Sequence, residues 1–160
     1  MTRSAYEEKI ALAGWILLIL AVGILPLRNF VGHSHWEYIK WVPTVDDLRS
    51  AKYLLDIGSD LIGNTLLFFP LGYLLSRRLP TSGHRRVIHA MAVGGLLSLG
   101  IEWYQVYCHF RFPSIFDLLT NTTGTALGAS FEMGILPGVR RQAAAIPSLP
   151  DRSPAPSNNE

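Results

Sequence analysis

Seven polar side chains stand inside or beside otherwise apolar stretches of the sequence: Asp60, Asn64, Glu102, Gln105, Arg111, Asp117 and Asn121. Their types suit two kinds of chemistry. Carboxylates, amides and a guanidinium can recognise a polar ligand through directed hydrogen bonds. Alternatively, a carboxylic acid can pass a proton while a neighbouring group steadies developing charge. Asp60 and Asn64 are four residues apart, Gly94, Ser98, Glu102 and Gln105 follow at four, four and three, and Asp117, Asn121, Gly124 and Gly128 at four, three and four. Such intervals place residues on one helical face. Three helices would thus each be polar toward one end, and in two of them the same face turns small further along, with Gly124 and Gly128 forming a G-x-x-x-G pair suited to close helix contact.

The elements that must carry these faces are long apolar blocks. Of 160 residues, 49% are apolar and only 16% charged, where a soluble domain carries about 25% charged. Ile10 to Leu27 contains no charge, and further blocks run over 57–75, 87–107 and 114–136. A helix rising 1.5 Å per residue needs roughly 20 residues to cross a hydrocarbon core. The expected fold is therefore all-α, a polytopic membrane bundle of four spans at about 10–27, 57–75, 87–107 and 114–136. Arg3 and Lys9 could also form the basic n-region of a cleaved signal peptide, but the first block ends in Leu25-Pro26-Leu27-Arg28 without a small-residue cleavage site. Pro70 predicts a kink in the second span, and Pro70, Gly72, Gly94, Ser98, Gly124 and Gly128 form the expected packing set.

Between the first two blocks lie Trp36, Tyr38, Trp41 and Tyr53, aromatics that favour the headgroup level. Thr44-Val45-Asp46-Asp47 resembles a capping box, and Leu48, Ala51 and Leu55 recur behind it at helical spacing, predicting a short interfacial helix. With four spans, residues 1–9, the second loop and the tail share one side, where nine basic residues stand, including Arg77, Arg78, Arg85 and Arg86 in one compact loop. Arg28, Lys40, Arg49, Lys52 and Arg111 make five on the other. The positive-inside rule then makes both termini cytoplasmic and puts all seven polar residues in the outer half of the bilayer. Residues 140–160, poor in large apolar side chains, read as a disordered cytoplasmic tail. A net charge of +2 argues against nucleic acid as a partner, and the single cysteine, Cys108, excludes an intrachain disulfide.

Asn64 followed by Phe68-Phe69-Pro70-Leu71-Gly72, then Ile101-Glu102-x-x-Gln105, then Arg111-Phe112-Pro113-Ser114-Ile115-Phe116-Asp117 leading into Asn121-x-x-Gly124-x-x-x-Gly128, resembles the VanZ-like family of bacterial membrane proteins. The resemblance covers roughly Asp60 to Phe131. It implies a small helical inner-membrane protein, from a family named for a member linked to resistance against the glycopeptide teicoplanin. It implies no biochemical mechanism.

With Asp60, Glu102, Asp117 and Arg111 all ionised, the constellation carries a net charge of −2. A low-dielectric site does not hold that without a partner. An acid keeps its proton, Arg49 or Lys52 folds over, or something cationic binds. The expected internal pairing is Arg111 with Asp117 or Glu102, since guanidinium grips carboxylate with two parallel bonds. These groups could simply lock three helices together, yet two per helix plus a loop arginine exceeds that need. The expected function is recognition of a membrane lipid or lipid-linked cell-wall intermediate. The alternatives are an intramembrane hydrolase or transferase using Glu102 or Asp117 as acid or base with Arg111 or Gln105 in support, and a proton-coupled exporter, disfavoured because the acids lie near one face. Cys108 and Ser114 are nearby nucleophile types, but a lone cysteine packs and Ser114 can cap the fourth helix. His33, His35 and His109 share the outer side and could join a carboxylate around zinc. H-x-H beside Trp36 reads as a solvated interfacial pair, so neither metal nor cofactor is expected. Glu132 is expected to snorkel toward Arg140 or Arg141. Oligomeric state is not legible.

Overall fold

A computed structural model describes residues 3–39, 49, 51–111 and 113–135. The expected capping sequence Thr44 to Asp47, Trp41, Leu48, Phe112 and the tail from Arg140 lie outside the described residues. Four long helices carry the fold: α1 (Arg3–Ile24), α2 (Ala51–Ser76), α3 (His84–Gln105) and α4 (Ile115–Glu132). Single 3-10 turns at Leu27–Asn29 and Trp36–Tyr38 follow α1, and no strand occurs among the described residues beyond an isolated antiparallel bridge between Phe30 and Cys108.

The helix limits follow from local chemistry. α1 begins before its apolar block, because Glu8 finds partners in Arg77, at 3.0 Å from Nε, and Arg78. It stops two residues short of Pro26, which has no N–H to extend the ladder. α2 runs through Pro70, and three residues earlier the Leu67 carbonyl accepts from Trp15 Nε1 at 2.9 Å, tying α1 to α2. α4 starts at Ser114, whose hydroxyl accepts from the Phe116 N–H at 3.1 Å in an N-cap. It ends in a Schellman motif: Ile135 N–H bonds the Ser130 carbonyl, Gly134 N–H bonds that of Phe131, and Gly134 takes the left-handed φ of 63° that this closure demands. The fourth helix is therefore shorter than the 114–136 block.

At one end of the molecule the start of α1, the end of α2, the start of α3 and the end of α4 meet. Glu132 accepts from Ser76 Oγ at 2.8 Å and lies 3.8 Å from Arg86. These partners converge on the Glu132 carboxylate from the two neighbouring helices, and Arg140 and Arg141, the snorkelling partners expected from the sequence, lie outside the described residues. The helices thus alternate up and down. Ile19, Phe68, Leu71, Leu75, Ala90, Ile101 and Ala129 form the core.

α2 and α4 touch backbone to backbone. A Cβ added at Gly128 would run into the Phe69 carbonyl, at Gly124 into the Thr65 carbonyl, and at Gly72 into the Thr125 carbonyl. One at Gly94 would meet the Thr125 side chain, which seats α3 against the same seam. The small residues thus sit at the closest approaches, as their spacing requires. Outside this seam many large apolar side chains face outward, among them Leu17, Leu66, Leu96 and Trp103. Tyr6–Asn29 and His84–Gln105 are each long and apolar enough to cross a membrane.

Candidate functional site

At the end opposite the Glu132 contacts, a cavity of about 350 Å³ opens between the four helices. Asp60, Asn64, Glu102, Gln105, Arg111, Asp117 and Asn121 all line it, over a floor of Ile19, Leu67, Phe68 and Ile101. Helical spacing explains the meeting: the polar end of each face lies at the same depth because neighbouring helices alternate direction.

Each polar group has a distinct attachment. Glu102, 9% exposed, accepts from the backbone N–H of Ser114 at 2.9 Å, tying the end of α3 to the start of α4. Asn121 donates through Nδ2 to Ser98 Oγ at 2.9 Å and is 5% exposed, while its Oδ1 is buried without a hydrogen-bond partner. Asn64 lies within hydrogen-bonding reach of Asp117, and Asp60 is close enough to Asp117 to repel it. Asp60 itself is exposed at the mouth.

Gln105 and Arg111 do something else. Gln105 Nε2 donates to the Gly23 carbonyl at 3.0 Å, and Arg111 Nη2 donates to the carbonyls of Val22 and Leu25 at 3.3 and 2.8 Å. The expected pairing of Arg111 with Asp117 or Glu102 is therefore corrected. The last carbonyls of a helix lack internal donors and carry the negative end of its dipole. Here the deficit is sharper, since the group placed to serve Val22 is Pro26, which has no N–H. A guanidinium within reach of such carbonyls satisfies them.

A family model for VanZ/LLP1 matches residues 11–135, more than three quarters of the chain, including every residue of the cavity. The chain belongs to the VanZ/LLP1 family. No curated protein and no solved structure matches it. Family membership and the two apolar helices point to a membrane protein, and the outward-facing leucines and Trp103 suit lipid contact.

Three further placements in this VanZ/LLP1 chain concern the loops beside the cavity. Cys108 is 3% exposed, its thiol donating to the Tyr104 carbonyl at 3.5 Å, so it packs and does not line the mouth. Phe110 lines the cavity instead, 85% exposed, at a left-handed φ of 61°. That turn lets the adjoining residues diverge: the His109 N–H bonds the Asn29 carbonyl at 2.8 Å while Arg111 reaches α1. His33 and His35, expected as a solvated interfacial pair, come together with His109. The sequence signal for the Arg111 attachment was Pro26 itself; Phe110 had none.

Proposed function

We propose that the cavity recognises the headgroup of a membrane lipid or lipid-linked cell-wall intermediate, within a four-span bundle of the bacterial cytoplasmic membrane whose termini are cytoplasmic. The observation that carries this reading is the acceptor surplus. Three carboxylates line one cavity, and its only cationic side chain among the described residues is engaged with backbone carbonyls. Such a lining favours a donor-rich ligand carrying hydroxyl or ammonium groups. About 350 Å³ lies at the small end of ligand pockets, enough for a headgroup with its chains left in the surrounding bilayer.

The compact arginine loop supports cytoplasmic termini through the positive-inside rule, which puts the cavity in the outer leaflet. Binding there would alter the exposure of cell-wall intermediates to glycopeptides, in line with the resistance after which the family resemblance is named. The hydrolase reading gains no support from the nucleophile types nearby: Ser114 Oγ caps α4 and the Cys108 thiol is buried.

Native mass spectrometry of the full chain, released from detergent with phosphatidylethanolamine, phosphatidylglycerol or a lipid-linked cell-wall precursor, tests the proposal. Retention is expected for a lipid bearing ammonium or several hydroxyls, and Glu102→Gln with Asp117→Asn is expected to lower it at least tenfold. Equal retention by the double variant would refute the reading.

A further inference from the structure

We propose that His33, His35 and His109 form a binding site for one divalent transition-metal ion of the zinc class, with a coordination position left open to solvent. The site goes beyond the lipid-recognition reading and shares no residue with the cavity.

The three imidazoles come from two separate loops, His33 and His35 from the segment after α1 and His109 from the α3–α4 turn. Their candidate ligand nitrogens all lie within 4.8 Å of one another. Ring centres stand 4.6 Å apart for His33 and His35, 4.8 Å for His35 and His109, and 5.9 Å for His33 and His109. An ion holding imidazole nitrogens at about 2.0–2.1 Å in tetrahedral directions sets neighbouring ring centres roughly 5 Å apart. The rings therefore stand near ligating positions, and small side-chain rotations close the remainder.

Backbone bonds hold the two loops in this register. Val31 N–H bonds the Tyr107 carbonyl at 3.0 Å, His35 N–H bonds that of Val106 at 2.9 Å, and His109 N–H bonds that of Asn29 at 2.8 Å, flanking the Phe30–Cys108 bridge. The histidine side chains are thus gathered by main-chain pairing and need not collect around an ion from a disordered start. Preorganisation of this kind lowers the cost of binding.

The surroundings also suit a metal. A carboxylate oxygen of Glu37 lies 3.8 Å from His35 Nδ1. Metal-bound imidazoles characteristically present their other nitrogen to such an acceptor, which fixes the ring and raises its basicity. With Nδ1 toward Glu37, Nε2 is the His35 nitrogen left for the ion. Imidazole donors select zinc, copper, nickel or cobalt over magnesium or calcium, which take oxygen ligands. His33 and His109 are exposed, so a fourth position faces water, the arrangement that distinguishes open zinc sites from closed structural ones.

The experiment uses the full chain, purified in detergent without a histidine tag and titrated with Co²⁺ as a spectroscopic probe, then with Zn²⁺ in competition. The expected result is a visible cobalt band that saturates at one ion per chain and is displaced by zinc. His33→Ala and His109→Ala, both at exposed positions, are each expected to weaken binding at least tenfold, and Glu37→Gln by about tenfold. A variant with both His84 and His89, on α3 at the far end of the bundle, changed to Ala is expected to bind as the parent does. Zinc should raise the melting temperature of the parent and not that of His109→Ala. Failure to saturate at one ion, or parent-like affinity in His109→Ala, would overturn the proposal.

Discussion

Gly128→Ala is the sharpest test of how the bundle is held. The added methyl meets the Phe69 carbonyl, and Phe69 belongs to the backbone of α2, so no side chain can swing aside. α2 and α4 must separate locally, and Gly124 and Gly72 sit on the same seam, so their contacts with Thr65 and Thr125 loosen too. Overpacking of a rigid contact costs about 1–3 kcal/mol. A backbone obstacle belongs in the upper part of that range, so we expect a loss of about 2–3 kcal/mol, or roughly 30- to 140-fold in the folded-to-unfolded ratio. The control is the same substitution at Gly63 on α2, where a Cβ meets nothing. Alanine's helix preference should there stabilise by about 0.5–1 kcal/mol. Unfolding in detergent micelles, followed by helicity, should separate the two variants by roughly 3 kcal/mol. If Gly128→Ala unfolds no earlier than Gly63→Ala, the seam is not the close contact described, and the reasoning from the small-residue stripe fails.

Other consequences are as direct. Arg111→Ala should leave the Val22 and Leu25 carbonyls unserved, destabilise the protein by about 1–2 kcal/mol, and speed hydrogen exchange in the last turn of α1 more than elsewhere. Arg111→Lys should recover only part of this, because a lysine ammonium is more strongly hydrated and ends short of the Nη2 position. Buried Cys108 should resist a membrane-impermeant maleimide in native protein, whereas Phe110→Cys in a Cys108→Ala background should label readily. Labelling of that variant in intact or outer-membrane-permeabilised cells, and not in sealed inverted vesicles, is expected from the proposed topology; the reverse pattern would turn it over. Trp15→Phe should cost about 1 kcal/mol through loss of the bond to the Leu67 carbonyl.

The parts of this structure that announce themselves in the sequence are those governed by helical periodicity. Spacings of four and three marked which side chains share a face, and once the helices alternate direction those faces must meet at one depth. Gly94, Gly124 and Gly128 were legible for the same reason. What escaped depends on backbone atoms, which carry no residue code. The acceptors for Gln105 and Arg111 are carbonyls of Val22, Gly23 and Leu25, groups that every sequence supplies, and only the absent N–H of Pro26 hinted that one would be left over. The gathering of the histidines depends on a loop-to-loop bridge at Phe30 and Cys108, a pairing between segments that have no repeat to betray it. The helix limits differ from the apolar blocks because charge governs membrane depth, whereas caps govern helix ends: Ser114 and Gly134 bound α4, and Glu8 allows α1 to begin early.

Holding α1 by its main chain has a consequence for how this wall of the cavity can diversify. Any residue at 22 or 25 presents the same carbonyl to Arg111, so the side chains there can be exchanged without unfastening the helix. Position 23 is the exception, because Ile101 Cγ2 would lie 2.6 Å from an added Cβ. Attachment and selectivity are therefore separable variables along the last turn of α1. Substitutions at Val22, which borders the cavity, can reshape it while the helix stays fastened, which under the proposed function gives related chains a route to different ligands on one frame.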